Sequence, residues 1–324
     1  MNPKFSVILL TTLIGAGQGL FVAVFAVEVA ALFDWLPLPI RPWFFFYGAL
    51  VSFAFTAAGL LASFFHLGRP ERAWRSAAKW RTSWLSREVI VLPAFMAVAL
   101  LYAVAHFLGW NGAYGSSSER VIDPTILLGA AGSLLAFALY VCTGMIYACL
   151  PFLREWATPL TVINYMLLGL ASGFALAAAA TLASGAVLRF LATTALALTA
   201  LAFVGRAASL YRNARLRPKS SLQTAIGVKH PQIVQKSQGF MGGSFNTREF
   251  FHGRAAATLR SVKWLFLLFT FVVPAAALAS GLSGAPRMAF AIAFIAQYVG
   301  LLGERWYFFA QANHPQNLYY QAIA

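Results

Sequence analysis

The residues best suited to chemistry bracket one basic stretch, HLGRPERAWRSAAKWRTSWLSREVI, from His66 to Ile90. His66 and Glu88 stand at its two ends, each at the edge of an apolar run, and Arg69, Arg72, Arg75, Lys79, Arg81 and Arg87 lie between them. An imidazole near neutral pKa serves one oxygen of a ligand as donor or acceptor. A partly desolvated carboxylate exchanges protons with water. Each also has an ordinary role: the histidine caps carbonyls at a helix end, and the glutamate complements a helix dipole beside Ser86 as a candidate N-cap. As a pair they suit a ligand with two oxygens that takes up and releases protons.

The elements that must hold this pair are membrane spans. The chain is 60% hydrophobic with a mean hydropathy of +0.72, well above a soluble domain. Runs of about 20 apolar residues, the length that crosses a bilayer, fall at about 5–33, 43–66, 88–110, 124–150, 158–184, 187–211, 261–283 and 286–311. None alternates as a strand would, so the expectation is an all-α integral membrane protein of eight transmembrane helices. The first run is too long for a signal-peptide core and lacks a cleavage site, so it reads as a retained span. Cys142 and Cys149 sit two turns apart on one span, too far for a disulfide or a shared metal ion. An iron–sulfur cluster, if one takes part, belongs to a partner chain.

Eight spans put both termini on one side, with the connections 67–87, 151–157 and 212–260. That side carries most of the 24 lysines and arginines, while Arg41, Arg120, Arg189 and Arg287 fall on the other. The positive-inside rule places the basic side, and both termini, in the cytoplasm of a bacterial inner membrane. The net charge of +15 then reads as topology plus anionic lipid, with a docking surface for an acidic subunit as the sharper alternative. No nucleic-acid-binding module surrounds these residues, so nucleic acid is not expected as a partner.

Within 67–87, Pro70 suits the first position of a short helix. At α-helical spacing Ala73, Ala77, Trp80 and Trp84 share one face and Arg72, Arg75 and Lys79 another, as in an interfacial helix at headgroup depth. The long 212–260 connection contains His230, Pro231, Gly242 and Gly243 together with Phe240, Phe245, Phe250 and Phe251. It reads as an ordered, cytoplasmic partner-docking loop rather than a linker. His66 and Glu88, at the cytoplasmic edge, then face one another at the depth where a lipid-soluble quinone presents its head group.

Two other classes compete with this reading. Haem needs two histidines at matched depth; His106 lies near the opposite edge, leaving His66 with His252 or His314. A transporter needs an ionisable track, but Glu28 falls near the outer edge and Asn164, Arg206, Glu304 and Arg305 near the inner one, with Gln18 between. Glu304 with Arg206 or Arg305 reads as a structural ion pair, with a contribution of Glu304 to the quinone site as the alternative. The small residues of GAAGS and GLASGFALAAAA read as close helix packing.

The run HLGRPERAWRSAAKWRTSWLSRE, a histidine-leucine-glycine-x-proline-x-arginine-alanine pattern followed by serine-x-glutamate, resembles the dimethyl sulfoxide reductase anchor-subunit family. The resemblance implies eight spans and electron exchange with ubiquinone or menaquinone. It implies no haem or iron–sulfur cluster on this chain, but two partners, an iron–sulfur subunit and a molybdopterin catalytic subunit. By motif position His66 and Glu88 match the family's quinone-site residues, and Arg72 matches the motif arginine. The implied roles are a hydrogen bond to one quinone oxygen for His66 and proton delivery for Glu88. Arg72 would stabilise the anionic form or orient Glu88. GGSFNTREFFHG and GERWYFFAQANHPQNLYY are similar to the branch that anchors sulfite dehydrogenases, and the basic motif side agrees with a cytoplasmic catalytic arm. The alternatives are the anchor of a dimethyl sulfoxide-type terminal reductase that uses quinol, or a small-solute membrane transporter.

Overall fold

A computed structural model describes residues 1–36, 40–110, 123–181, 185–218, 220–234, 236 and 249–319. Eight helices are long and apolar enough to cross a membrane: α1 (Phe5–Leu32), α2 (Pro42–Phe64), α3 (Trp84–Phe107), α4 (Pro124–Ala148), α5 (Pro159–Ala180), α6 (Ala186–Ala214), α7 (Ala256–Leu282) and α8 (Met288–Ala310). No strand occurs among the described residues. Proline opens α2, α4 and α5, where its missing N–H is not needed. The eight-span, all-helical expectation holds, with α3 and α7 each starting several residues before the apolar run does.

The centre of the bundle is α1 against α5. In each, 72% of the most apolar stretch is buried, against 28% in α2 and α7, whose remaining apolar surface is left for lipid. Two glycine pairs at a spacing of four, Gly15 and Gly19 on α1 with Gly169 and Gly173 on α5, let the two backbones touch. A Cβ on Gly173 would stand 2.0 Å from the Gly19 carbonyl carbon, and one on Gly19 would stand 2.2 Å from the Gly169 oxygen. Backbones approach this closely in a membrane only where side chains are absent. The Tyr140 ring of α4 lies over Gly169, and its hydroxyl donates to the Gly15 carbonyl at 2.8 Å.

Pro274 shapes α7. It offers no N–H to the Thr270 carbonyl one turn earlier, and the helix widens into a π turn at Leu268–Val272. Gln297 of α8 donates through Nε2 to that carbonyl at 3.3 Å and to Thr199 Oγ1 of α6 at 3.0 Å. Gly300 makes room, since a Cβ there would meet the Thr270 nitrogen at 2.4 Å. At the less basic end of the bundle Glu28 accepts from the Tyr102 hydroxyl at 2.6 Å and lies 3.3 Å from His106 Nε2. The expectation that Glu28 and His106 share that end is met by this direct pairing.

At the basic end the connections lie against one another. Lys4 pairs with Glu249 at 2.9 Å, Arg212 donates to the Arg154 carbonyl, Arg154 donates to the Arg217 carbonyl, and His314 stacks on Phe250 at 3.8 Å. Those parts of the 212–260 connection are therefore ordered across the helix ends. Phe240, Gly242, Gly243 and Phe245 lie outside the described residues.

The interfacial segment Pro70–Lys79 winds as a 3₁₀ helix, not the α-helix expected. Its tighter turn leaves Ala73, Ser76 and Ala77 half-buried, and Trp74 and Trp80 outermost. Trp84 is already the first residue of α3, so the four-residue apolar face drawn at α-helical spacing does not form. The α3 N-cap is Ser83, which accepts from the Ser86 N–H, and the Ser86 hydroxyl instead donates to the Ser76 carbonyl.

Replacing Gly173 by valine puts methyl groups where the α1 backbone runs. Overpacking of this kind costs about 1–3 kcal/mol or more. We expect a lower melting temperature and poor recovery from mild detergent for Gly173→Val, measured by thermal denaturation with size-exclusion chromatography. Wild-type stability in that variant would refute the close α1–α5 crossing.

Candidate functional site

The position of Glu88 is set from outside the helix. Arg87 donates from Nε to the Trp80 carbonyl and from Nη2 to the Arg81 carbonyl, both at 2.9 Å, and its guanidinium lies 4.1 Å over the Trp84 ring. With the Ser86–Ser76 bond, this ties the start of α3 to the interfacial segment. Glu88 is thereby turned inward. It is buried and accepts from Thr143 Oγ1 of α4 at 2.5 Å.

Glu88 lines a narrow crevice between α1, α3, α4, α5 and α8. The crevice lies beside the α1–α5 glycine crossing, and Gly15 and Gly169 form part of its wall. Leu10, Ile14, Leu168 and Leu301 give it apolar sides. Its polar groups are Glu88 and Thr143 towards α3 and α4, Thr11, Thr12 and Gln18 on α1, Tyr140 on α4, Tyr165 and Ser172 on α5, and Arg305 on α8. Gln18 is itself spent on the Ala136 carbonyl at 3.0 Å, and Tyr140 on Gly15.

Arg305 belongs to a buried ion cluster. Glu304 lies 2.8 Å from Arg206 Nε of α6 and 3.1 Å from Arg305 Nη1, and all three side chains are at most 4% exposed. The expected ion pair thus takes in both arginines at once. A smaller cavity behind it is lined by Glu155, Thr161, Asn164 and Ser209 and shares Tyr165 and Arg305 with the main crevice.

The three residues singled out by spacing are not gathered in one place. Glu88 is in the crevice. His66, just past the end of α2, is half-buried and is not among the crevice lining; its Nδ1 is buried without a hydrogen-bond partner among the described residues. Burial, and secondarily the charge of Lys4, lowers its pKa below the ordinary imidazole value, so the ring stays neutral at neutral pH. Arg72 is exposed on the interfacial segment, 3.8 Å from Glu71. No contact joins His66, Arg72 and Glu88 to one another among the described residues. Sequence reasoning missed Thr143, Tyr140 and Tyr165, and took Arg305 as structural only. The four-residue spacing of Gly15 and Gly19 was a legible sign that another backbone presses on α1 at this depth.

The chain is thus a bundle of eight helices able to cross a membrane, with a polar crevice near its basic end. The chain belongs to the family described as DMSO reductase anchor subunit (DmsC), whose model matches residues 1–309. It is 52% identical, over 327 residues and the full length of both chains, to a subunit of the sulfite dehydrogenase of Allochromatium vinosum. The family resemblance drawn from the sequence is confirmed over nearly the whole chain, and the protein is a membrane anchor subunit of an oxidoreductase complex.

The lowered pKa of His66 has a signed consequence. On acidification the unfolded chain takes up this proton first, so the folded state loses stability as pH falls through the ordinary imidazole range and keeps it above that range. Melting temperatures of the detergent-extracted protein should fall on the acid side, and His66→Gln should flatten that limb. An unchanged acid slope in the variant would count against a buried, neutral His66.

Proposed function

We propose that this chain is the quinone-reactive membrane subunit of a molybdopterin oxidoreductase, with its basic end and both termini in the cytoplasm. It would hold an iron–sulfur subunit and a molybdopterin catalytic subunit against that end and pass electrons between the clusters and the quinone pool. Sulfite is the electron donor favoured by the full-length similarity to a sulfite dehydrogenase subunit. Reduction of a quinone to a quinol takes up two electrons, which the partner would supply, and two protons.

The observation that carries this reading is a carboxylate buried beside a crevice between the helices, one helical turn inside the basic edge. The lining has the chemistry that the ligand class calls for. Its leucine and isoleucine sides suit a ring and the start of an isoprenoid tail, while donors and acceptors converge from α3, α4, α5 and α8. Glu88 would hold the transferable proton, with Thr143 fixing its carboxylate orientation. His66, neutral and with an unpaired Nδ1, would hydrogen-bond a ligand oxygen on the path from the membrane edge. Arg72 would act at the interfacial rim, since Thr143 and not Arg72 orients Glu88. Anionic lipid headgroups would meet the Arg75–Trp74 and Arg81–Trp80 pairs beside it.

The anchor role is tested by tagging the chain, extracting it in mild detergent and identifying what co-purifies. Recovery of a molybdopterin and an iron–sulfur subunit is expected; recovery of the chain alone, where known complexes survive, refutes it. In the intact complex, Glu88→Gln should cut quinone reduction by about 10²-fold or more. Dye reduction, which bypasses the membrane subunit, should be unaffected. Full quinone turnover in an assembled Glu88→Gln complex would remove the proton role.

A further inference from the structure

The Arg206–Glu304–Arg305 cluster carries two positive charges and one negative. A net charge in a membrane interior is costly, and such groups mark function unless something opposes them. Glu304 is closer to Arg206, at 2.8 Å, than to Arg305, at 3.1 Å. The two arginines share one carboxylate, Oε1 facing Arg206 and Oε2 facing Arg305, and the other carboxylates bordering the same two cavities are Glu155 and Glu88.

The surroundings of Arg305 direct its charge into the crevice. Its guanidinium lies 3.6 Å from the Tyr165 ring centre, so one face is taken up by the aromatic ring. Nη1 is turned to Glu304, which is its one ion-pair or hydrogen-bond contact among the described residues. A guanidinium has five N–H donors. The donors not used on Glu304 belong to a side chain that is 4% exposed and lines the crevice opposite Glu88. Unlike the buried Nε and Nη2 of Arg206, no nitrogen of Arg305 is sealed in without a partner. Tyr165 and Glu304 hold the cation at the border of the main crevice and the smaller cavity.

We propose that Arg305 is the anion-holding residue of the crevice: it binds the negatively charged oxygen of a reduced or ionised quinone-class ligand. Glu304 acts as a positioning residue that holds Arg305 in place. This rests on the quinone reading above and adds to it a site for negative charge that neither His66 nor Arg72 provides. Whenever electrons reach the ligand ahead of protons, the extra negative charge lies on a ring oxygen, and Arg305 is the buried cation that meets it. Glu88 and Thr143 serve the opposite end of the same ligand. Electrons come from the partner's clusters and both protons end on the quinol oxygens, so the step needs no further reactant.

The test uses the intact complex in nanodiscs and two ligands of nearly equal shape. One is 2-hydroxy-1,4-naphthoquinone, ionised at neutral pH, and the other its neutral 2-methoxy ether; affinities are read by titration without turnover. Wild type should prefer the ionised ligand. Arg305→Gln should lose that preference by roughly tenfold to a hundredfold, the scale of one charge-assisted hydrogen bond, while binding the methoxy ligand as before. Arg305→Lys should keep most of the preference. The Arg206–Glu304 contact survives in both Arg305 variants, so each should assemble. A preference unchanged in Arg305→Gln, or lost equally in Arg305→Lys, overturns the assignment. Failure of either ligand to bind the wild-type complex overturns the quinone reading itself.

Discussion

The contact between the α1 and α5 backbones is the constraint on which the other features rest. Gly15, Gly19, Gly169 and Gly173 leave no side chain between the helices. Without a hydrophobic driving force between helices in lipid, van der Waals contact of this kind is a main source of association. The crossing draws Tyr140 against both glycine pairs and fixes which residues of α1 and α5 face α3, α4 and α8. The crevice is the space left where the helices diverge from that point. Its apolar and polar walls therefore derive from the packing that stabilises the bundle.

Charge is distributed around this crossing in two differently balanced clusters. At the less basic end Glu28 accepts from Tyr102 and lies 3.3 Å from His106, whose ring is covered by Phe45 at 4.6 Å and whose Nδ1 is buried without a hydrogen-bond partner among the described residues. At the basic end the Arg206–Glu304–Arg305 group keeps a surplus cation and borders two cavities. A buried ion pair contributes little net stability after desolvation. Which cavities a cluster borders is accordingly more informative about function than the presence of ionisable residues in spans.

The spans were legible because length and apolar composition alone decide them, and the basic bias along the loops is equally plain in the sequence. The amphipathic character of residues 70–80 was legible too, but its winding was not, since a 3.0- and a 3.6-residue turn both place Arg72 and Arg75 away from Ala73. Glu88 could be singled out by its position at a span start. Its partner could not, because Thr143 is 55 residues away and meets it only through the rotation of α3 that Arg87 and Ser86 impose. The same holds for Arg305. On the chain it is one charge beside Glu304, and only the azimuth of α8, set by Gly300 against Thr270 and by Gln297, turns it to the crevice.

The central place of α1 bears on how the protein is made. Gln18 and Glu28 are fully enclosed in the finished bundle, yet α5, which covers much of that surface, lies more than a hundred residues further along the chain. At ~5–20 residues per second of synthesis, α1 waits on the order of ten seconds for α5. Through that interval its polar groups and bare glycine surface must be held in the lateral gate of the insertion machinery or against provisional neighbours. The bundle therefore closes around a helix that is inserted, with α2 beside it, long before α5 arrives.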